Sequence, residues 1–252
     1  MKNLALVFLL SALLSGDTTA QQPGDVPDVL YMGDVHHSQA DWPDWVIASK
    51  VLTPTGEVDS QLFSPEDQEF ITTLLSREPE GGCIRLGVLE QIERAGAPRR
   101  PDLPRAVRNS DWVFVGQVTA RAEGFHRRIP GTLLRIHPSE IIKGPTDRIS
   151  AHFIFMPIAT FDVGGTRICK THPVYADLPE IGEEVLLFID LESTWHQQGE
   201  FLWTDGESGI VTIHRNTGIS FPRNFLQSKN KARPTTRSEL LRQAREALRS
   251  GN

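Results

Sequence analysis

The sequence predicts a mainly β protein: a small closed antiparallel barrel with flanking N-terminal helices and a C-terminal amphipathic helix. Three observations predict it. From Ser110 the apolar pattern switches to period two, as a strand requires. Short strand-like runs then follow one another, separated by turn clusters at Lys143-Gly144-Pro145, Val163-Gly164-Gly165 and Thr204-Asp205-Gly206. Helical patterns are confined to the two ends of the chain, which argues against a doubly wound parallel sheet.

The 252 residues are 39% apolar and 23% charged, which suits a globular chain and excludes collagen-like and low-complexity classes. A net charge of −6 gives no whole-chain attraction to phosphate backbones, so nucleic acid is not expected as a partner.

Residues 1–20 read as a secretory signal. Lys2 supplies the positive start, Leu4 to Leu14 the apolar run, and Thr18-Thr19-Ala20 small residues for a cut after Ala20. This run of eleven residues, interrupted only by Ser11, spans roughly half of a ~30 Å hydrocarbon core, so removal is favoured over anchoring. A secreted or periplasmic location follows, and in that oxidising setting the two cysteines, Cys83 and Cys169, most simply pair with each other. Intermolecular pairing is the alternative. An intramolecular bridge closes a long loop, for which chain entropy gives on the order of 4 kcal/mol.

Residues 21–105 form an acidic leader with one or two helices. Between 21 and 82, twelve Asp and Glu face only Lys50 and Arg77, too polar a segment for a core of its own. One helix opens at Ser64-Pro65-Glu66-Asp67, an N-cap, a first-turn proline and first-turn acids, and continues through Phe70, Ile71, Leu74 and Leu75. A second is expected from Ile84 to Ala95, with Leu86, Leu89 and Ile92 on one stripe. A short helical turn is expected between Asp102 and Asn109.

The barrel domain is placed at 106–222. Its first strand, Asp111 to Arg121, is apolar on both faces up to Gly116; beyond it Gln117, Thr119 and Arg121 alternate with Val118 and Ala120. Glycine at the change point signals a bulge or bend. Further strands are expected at Gly131–His137, Glu140–Lys143, Arg148–Met156, Gly182–Leu191, Phe201–Trp203 and Gly209–Arg215. Residues 223–252 form a basic linker and helix. Thr236-Arg237-Ser238-Glu239 is a capping box, Leu240, Leu241, Ala244 and Leu248 make the docking stripe, and the tail's positive charge is complementary to the leader's negative charge.

Three segments carry a family resemblance: Ser110-Asp111-Trp112-Val113-Phe114-Val115-Gly116-Gln117-Val118, Glu140-Ile141-Ile142-Lys143-Gly144, and Ile181-Gly182-Glu183-Glu184-Val185-Leu186-Leu187-Phe188-Ile189. In this order they resemble the secreted bacterial netrin-like and TIMP-like modules over about residues 106–222. The resemblance implies an OB-type five-stranded barrel, secretion and a protein-binding habit. It does not imply protease inhibition, because the amino-terminal cysteine and dense disulfide set of the inhibitors have no counterpart here.

No catalytic, cofactor-binding or metal-ligating residue is assigned, and no cofactor is expected. Asp205-Gly206-Glu207-Ser208-Gly209 has no nucleophile-elbow order and reads as a hairpin turn. The histidines form no local ligand pair; His137, His152 and His214 fall in expected strands, with His152 turned outward opposite inward Ala151 and Phe153. Trp195 and His196 sit at an expected hairpin tip and are the candidate partner-binding residues, since aromatics enrich interface centres. The reading is a non-enzymatic binding module for an unidentified protein or envelope partner. Its rivals are an extracytoplasmic hydrolase or metal-dependent enzyme using some of His137, His152, His214, Asp205 and Ser208, and a structural envelope-associated protein.

Overall fold

The computed structural model describes residues 30–32, 46–47, 51–53, 55–61, 63–86, 102–126, 129–146, 152–171, 178–189, 202–203, 209–215, 218–222, 225 and 232–250. The signal segment 1–20 lies outside them. No helix among the described residues is long and apolar enough to cross a membrane.

The spine is an antiparallel hairpin of two 15-residue strands, β4 (Trp112–His126) and β5 (Ile129–Lys143). β5 joins two segments that the sequence divides at Pro138, and the pairing explains how. Its register breaks in three places, leaving Ile142 and Ser139 extra on β5 and Thr119 extra on β4. The two hydroxyl residues bond back across the ladder: Ser139 Oγ donates to Val115 O at 3.2 Å, and Thr119 Oγ1 to Arg135 O at 3.1 Å. Gly116 sits opposite Pro138 beside the second break, as the expected bend requires. A Cβ there would lie 2.5 Å from Ile136 Cγ2 and 2.9 Å from His137 O, so the close strand approach excludes any side chain.

Around the spine the main sheet orders β10 (Leu202–Trp203), β6 (His152–Met156), β5, β4, β9 (Glu184–Ile189), β11 (Ile210–His214) and β12 (Gly218–Ser220). Most of its pairings are antiparallel. β1 (Leu30–Met32) adds to β4, and β2 (Val46–Ile47) to β1. Among the described residues β10 and β12 do not pair with each other, and the sheet is open.

Both sheet faces are covered. Trp112, Phe114, Val118, Leu134, Ile136, Ile154, Val185 and Leu187 fill the inner face. The outer face carries Val113, Val115, Leu186, Phe188 and Val211, against which α2 (Leu103–Asn109) and α3 (Arg237–Arg249) pack. Both helices start as their sequences require: Asp102 accepts from Arg105 N at 2.9 Å, and Thr236 Oγ1 from Glu239 N at 3.3 Å. Leu240, Leu241 and Ala244 are buried, Leu248 partly.

A second body surrounds the disulfide. α1 (Pro65–Leu75) begins at Ser64, whose hydroxyl accepts from Asp67 N at 3.2 Å. Its Ile71 and Leu74 pack with Val51, Phe63, Phe161 and Ile168 beneath a three-stranded sheet ordered β3 (Ile84–Leu86), β8 (Thr166–Lys170), β7 (Ala159–Val163). The leader therefore shares a core with the β7–β8 hairpin, which the sequence marks only by its Gly164-Gly165 turn.

Three expectations are corrected. Ile84–Leu86 is strand, not helix: Cys83 is tied to Cys169, with Cα atoms 5.9 Å apart, which aligns residues 84–86 parallel to β8. Residues 87–95 lie outside the described set. Arg121 is not on the solvated face, because the extra residue Thr119 inverts the alternation and puts Arg121 opposite Leu134. His152 shares the inner face with Ile154 and Met156, and its ring stands edge-on to Trp112 at 4.6 Å. In the tail, Arg242 pairs with Glu246 on its own helix, two other arginines meet carboxylates of the main sheet, and the leader acids from Asp25 to Asp44 lie outside the described residues. Arg237 binds Glu184 at 2.7 and 3.1 Å, and Arg245 binds Glu140.

Gly116→Ala is expected to destabilise the protein by about 1–3 kcal/mol in chemical denaturation, the usual cost of overpacking. Leu240→Ala is expected to cost about 2–5 kcal/mol, whereas Arg245→Ala costs under about 1 kcal/mol, an effect that shrinks with salt. The Glu184 hydrogen bond raises the pKa of Arg237. The arginine's own contribution is complete below its unfolded value and is lost only at strongly alkaline pH, as its folded form titrates. The stability difference between wild type and Arg237→Met is therefore expected to be equal at pH 7 and pH 9.

Candidate functional site

The second edge of β4 is shared. β9 pairs with Trp112 to Gln117 and β1 with Gly124 to His126; among the described residues no strand pairs the stretch between them on that side. A tight turn, Glu180-Ile181-Gly182-Glu183, reaches this gap. Glu183 N donates to Glu180 O at 3.0 Å, Gly182 N to Val118 O at 2.8 Å, and Val118 N to Glu183 O at 2.9 Å. Gly182 has φ +89°, the third position of a type II turn, which L side chains adopt only with strain. Gln117 Nε2 and Arg215 Nη2 both donate to its carbonyl, at 3.2 and 3.0 Å.

A chain of hydrogen-bonded polar side chains surrounds the turn. Glu123, 7% exposed, accepts from Arg121 Nε at 3.0 Å, and Arg121 Nη1 also meets Glu180 at 3.2 Å. Glu183 Oε2 accepts from Glu180 N at 2.9 Å, while its other oxygen lies 2.6 Å from His214 Nδ1. The network thus runs Glu123, Arg121, Glu180, Glu183, His214. At its tip Ile181, 44% exposed, is the exposed large apolar side chain of the described residues.

A carboxylate bonded to one nitrogen of an imidazole fixes the ring's orientation, as in hydrolytic triads, but catalysis also needs a nucleophile at the other nitrogen. Glu183 is the described hydrogen-bond partner of His214. His137 is exposed, and His152 lies against Trp112 and Phe114. The described members of the enzymatic rival set, His137, His152 and His214, therefore have separate surroundings. Asp205, Ser208, Trp195 and His196 lie outside the described residues. Among those described, no group of three or more His, Cys, Asp or Glu is arranged to hold a metal.

Cys83 and Cys169 come together as expected. Sequence reasoning missed Arg121, Glu123, Glu180 and Glu183 as a unit. The available signal was Arg121-x-Glu123, an alternate-residue ion pair on one strand, and Glu180-x-Gly182-Glu183, a glycine turn between acids. No family model matches the chain, and no curated protein matches it.

Arg121→Met is expected to destabilise by about 3 kcal/mol or more, because it strands the buried Glu123 carboxylate. Glu180→Gln, on the exposed side of the same arginine, is expected to change stability by less than about 1 kcal/mol. Urea denaturation of both variants checks the ordering.

Proposed function

We propose that the chain is an exported, non-enzymatic binding module of the netrin-like and TIMP-like kind, built on an OB-type barrel, which engages a protein or envelope partner. The observation that carries this reading is the use made of the polar groups around the 180–183 turn: Arg121, Glu183, His214 and Arg215 hold one another and the turn, leaving Ile181 and Glu180 at its surface. Rigid turns that offer an apolar side chain beside a charge are suited to protein recognition, since little entropy is lost on docking. The packed inner face supports the same reading, because Trp112, Phe114, Leu134 and Leu187 occupy the space a substrate cavity would need.

The resemblance is supported by what its motif residues do. Lys143 Nζ donates to Arg108 O at 2.7 Å and to Ser110 O, capping the end of α2, while Glu184 receives Arg237. These are scaffold roles, consistent with motifs that specify a module rather than a reaction. The breaks in the β4–β5 register support the barrel, because bulges are the means by which a sheet bends toward closure.

Export with signal removal is tested by amino-terminal sequencing of protein recovered outside the cytoplasm, with Gln21 expected as the first residue. The binding class is tested by elemental analysis and a serine-reactive fluorophosphonate probe. Both are expected to be blank; stoichiometric metal or labelling at Ser208 overturns the reading in favour of an enzyme.

A further inference from the structure

The disulfide body is attached to the rest of the molecule in a particular way. Within the three-stranded sheet β3 pairs only with β8, through three parallel residue pairs, and Cys83 lies immediately before it. So short a parallel pairing supplies little stability alone. Residues 51–86 also share an apolar core with the β7–β8 hairpin, chiefly Ile71 and Leu74 with Phe161 and Ile168. β4 contributes Phe125 to this core, its ring 5.2 Å from Phe161. Two residues back along β4 the polar pair Arg121 and Glu123 begins, and the inner-face core lies beyond it. Two separate cores share one ribbon, and the clasp belongs to the smaller.

We propose that the Cys83–Cys169 disulfide is a reducible clasp: a dithiol releases residues 51–86 from the β7–β8 hairpin and uncovers its apolar face, while the main sheet stays folded. Cys169 is half-buried and Cys83 is buried, so attack falls on Cys169 Sγ. The incoming thiolate forms a mixed disulfide with Cys169 and expels Cys83 as a thiolate. The second thiol of the reagent then displaces Cys169, so the reagent becomes a disulfide and the protein gains two electrons and two protons. Arg85 is the register partner of Cys169 in the parallel pairing. Arg167, two residues from Cys169 on the same strand, faces Asp162 across the hairpin and is offset by it. Once the bridge is gone, the leader regains the chain entropy that an 86-residue separation had removed, and its apolar contacts and the short β3 pairing oppose its opening.

The test is hydrogen exchange with mass spectrometry on the mature chain at neutral pH, before and after dithiothreitol, with reduction verified by alkylation of both thiols. Protection is expected to fall roughly a hundredfold in the α1 and β3 peptides and to stay unchanged in peptides covering 112–118 and 185–189. Retained protection throughout the fully reduced chain overturns the proposal, as does simultaneous loss everywhere, and so does failure of dithiothreitol to reduce the native bridge. The double variant Cys83→Ser with Cys169→Ser is expected to show the reduced pattern without reductant. If that variant is unfolded throughout, the bridge holds the whole fold and the proposal fails.

Discussion

The rest of the structure depends on the irregular antiparallel ladder between β4 and β5. Thirteen residue pairs join the two strands, and every other part of the main sheet is added to one of their outer edges. A regular ladder of this length keeps each side chain on one face throughout. Here each extra residue reverses the alternation and increases the local twist. Because the breaks fall on both strands, the ribbon can offer apolar groups to both faces in its first half and to the disulfide body near its tip. Gly116 allows a close approach of the two strands, where any larger residue would meet Ile136 and the His137 carbonyl.

The placement of charge follows from this geometry. Glu140 and Glu184 sit on the strands either side of β4, and Arg237 lies 2.7 Å from one and 3.9 Å from the other. The basic tail is thereby held over the outer face, while its apolar stripe supplies most of the docking energy. Arg121 and Glu123 are turned to the inner side by the extra Thr119, where they separate two apolar clusters that a regular strand would have merged. Buried ion pairs of this kind contribute little net stability compared with apolar residues of similar size, yet they fix which groups meet. Here they anchor the turn that presents Ile181.

The helical ends and the strand periodicity were legible in the sequence. Ser64, Asp102 and Thr236 are caps because hydroxyl and carboxylate groups satisfy the free N–H groups of a first turn, a matter of three or four neighbouring residues. Two cysteines, alone in the chain and even in number, point to each other, and they meet. The candidate site was much less legible. Trp195 and His196 were favoured for residue type at an expected hairpin tip, whereas Arg121 and His214 become members of one network only when the turn at Glu180 reaches β4. Composition places no such requirement on residues about sixty positions apart.

The sequence alone determined the caps and the apolar faces of α1 and α3 and pointed to the covalent bridge, since each depends on local spacing or on the scarcity of a residue type. Tertiary structure decided the face of Arg121, the inward position of His152, the strand conformation of Ile84–Leu86 and the carboxylates chosen by the tail arginines. A single extra residue in a ladder inverts all the side chains beyond it, and a bridge to a distant strand outweighs the helical period of a three-residue segment. Both effects act through partners far away in the chain.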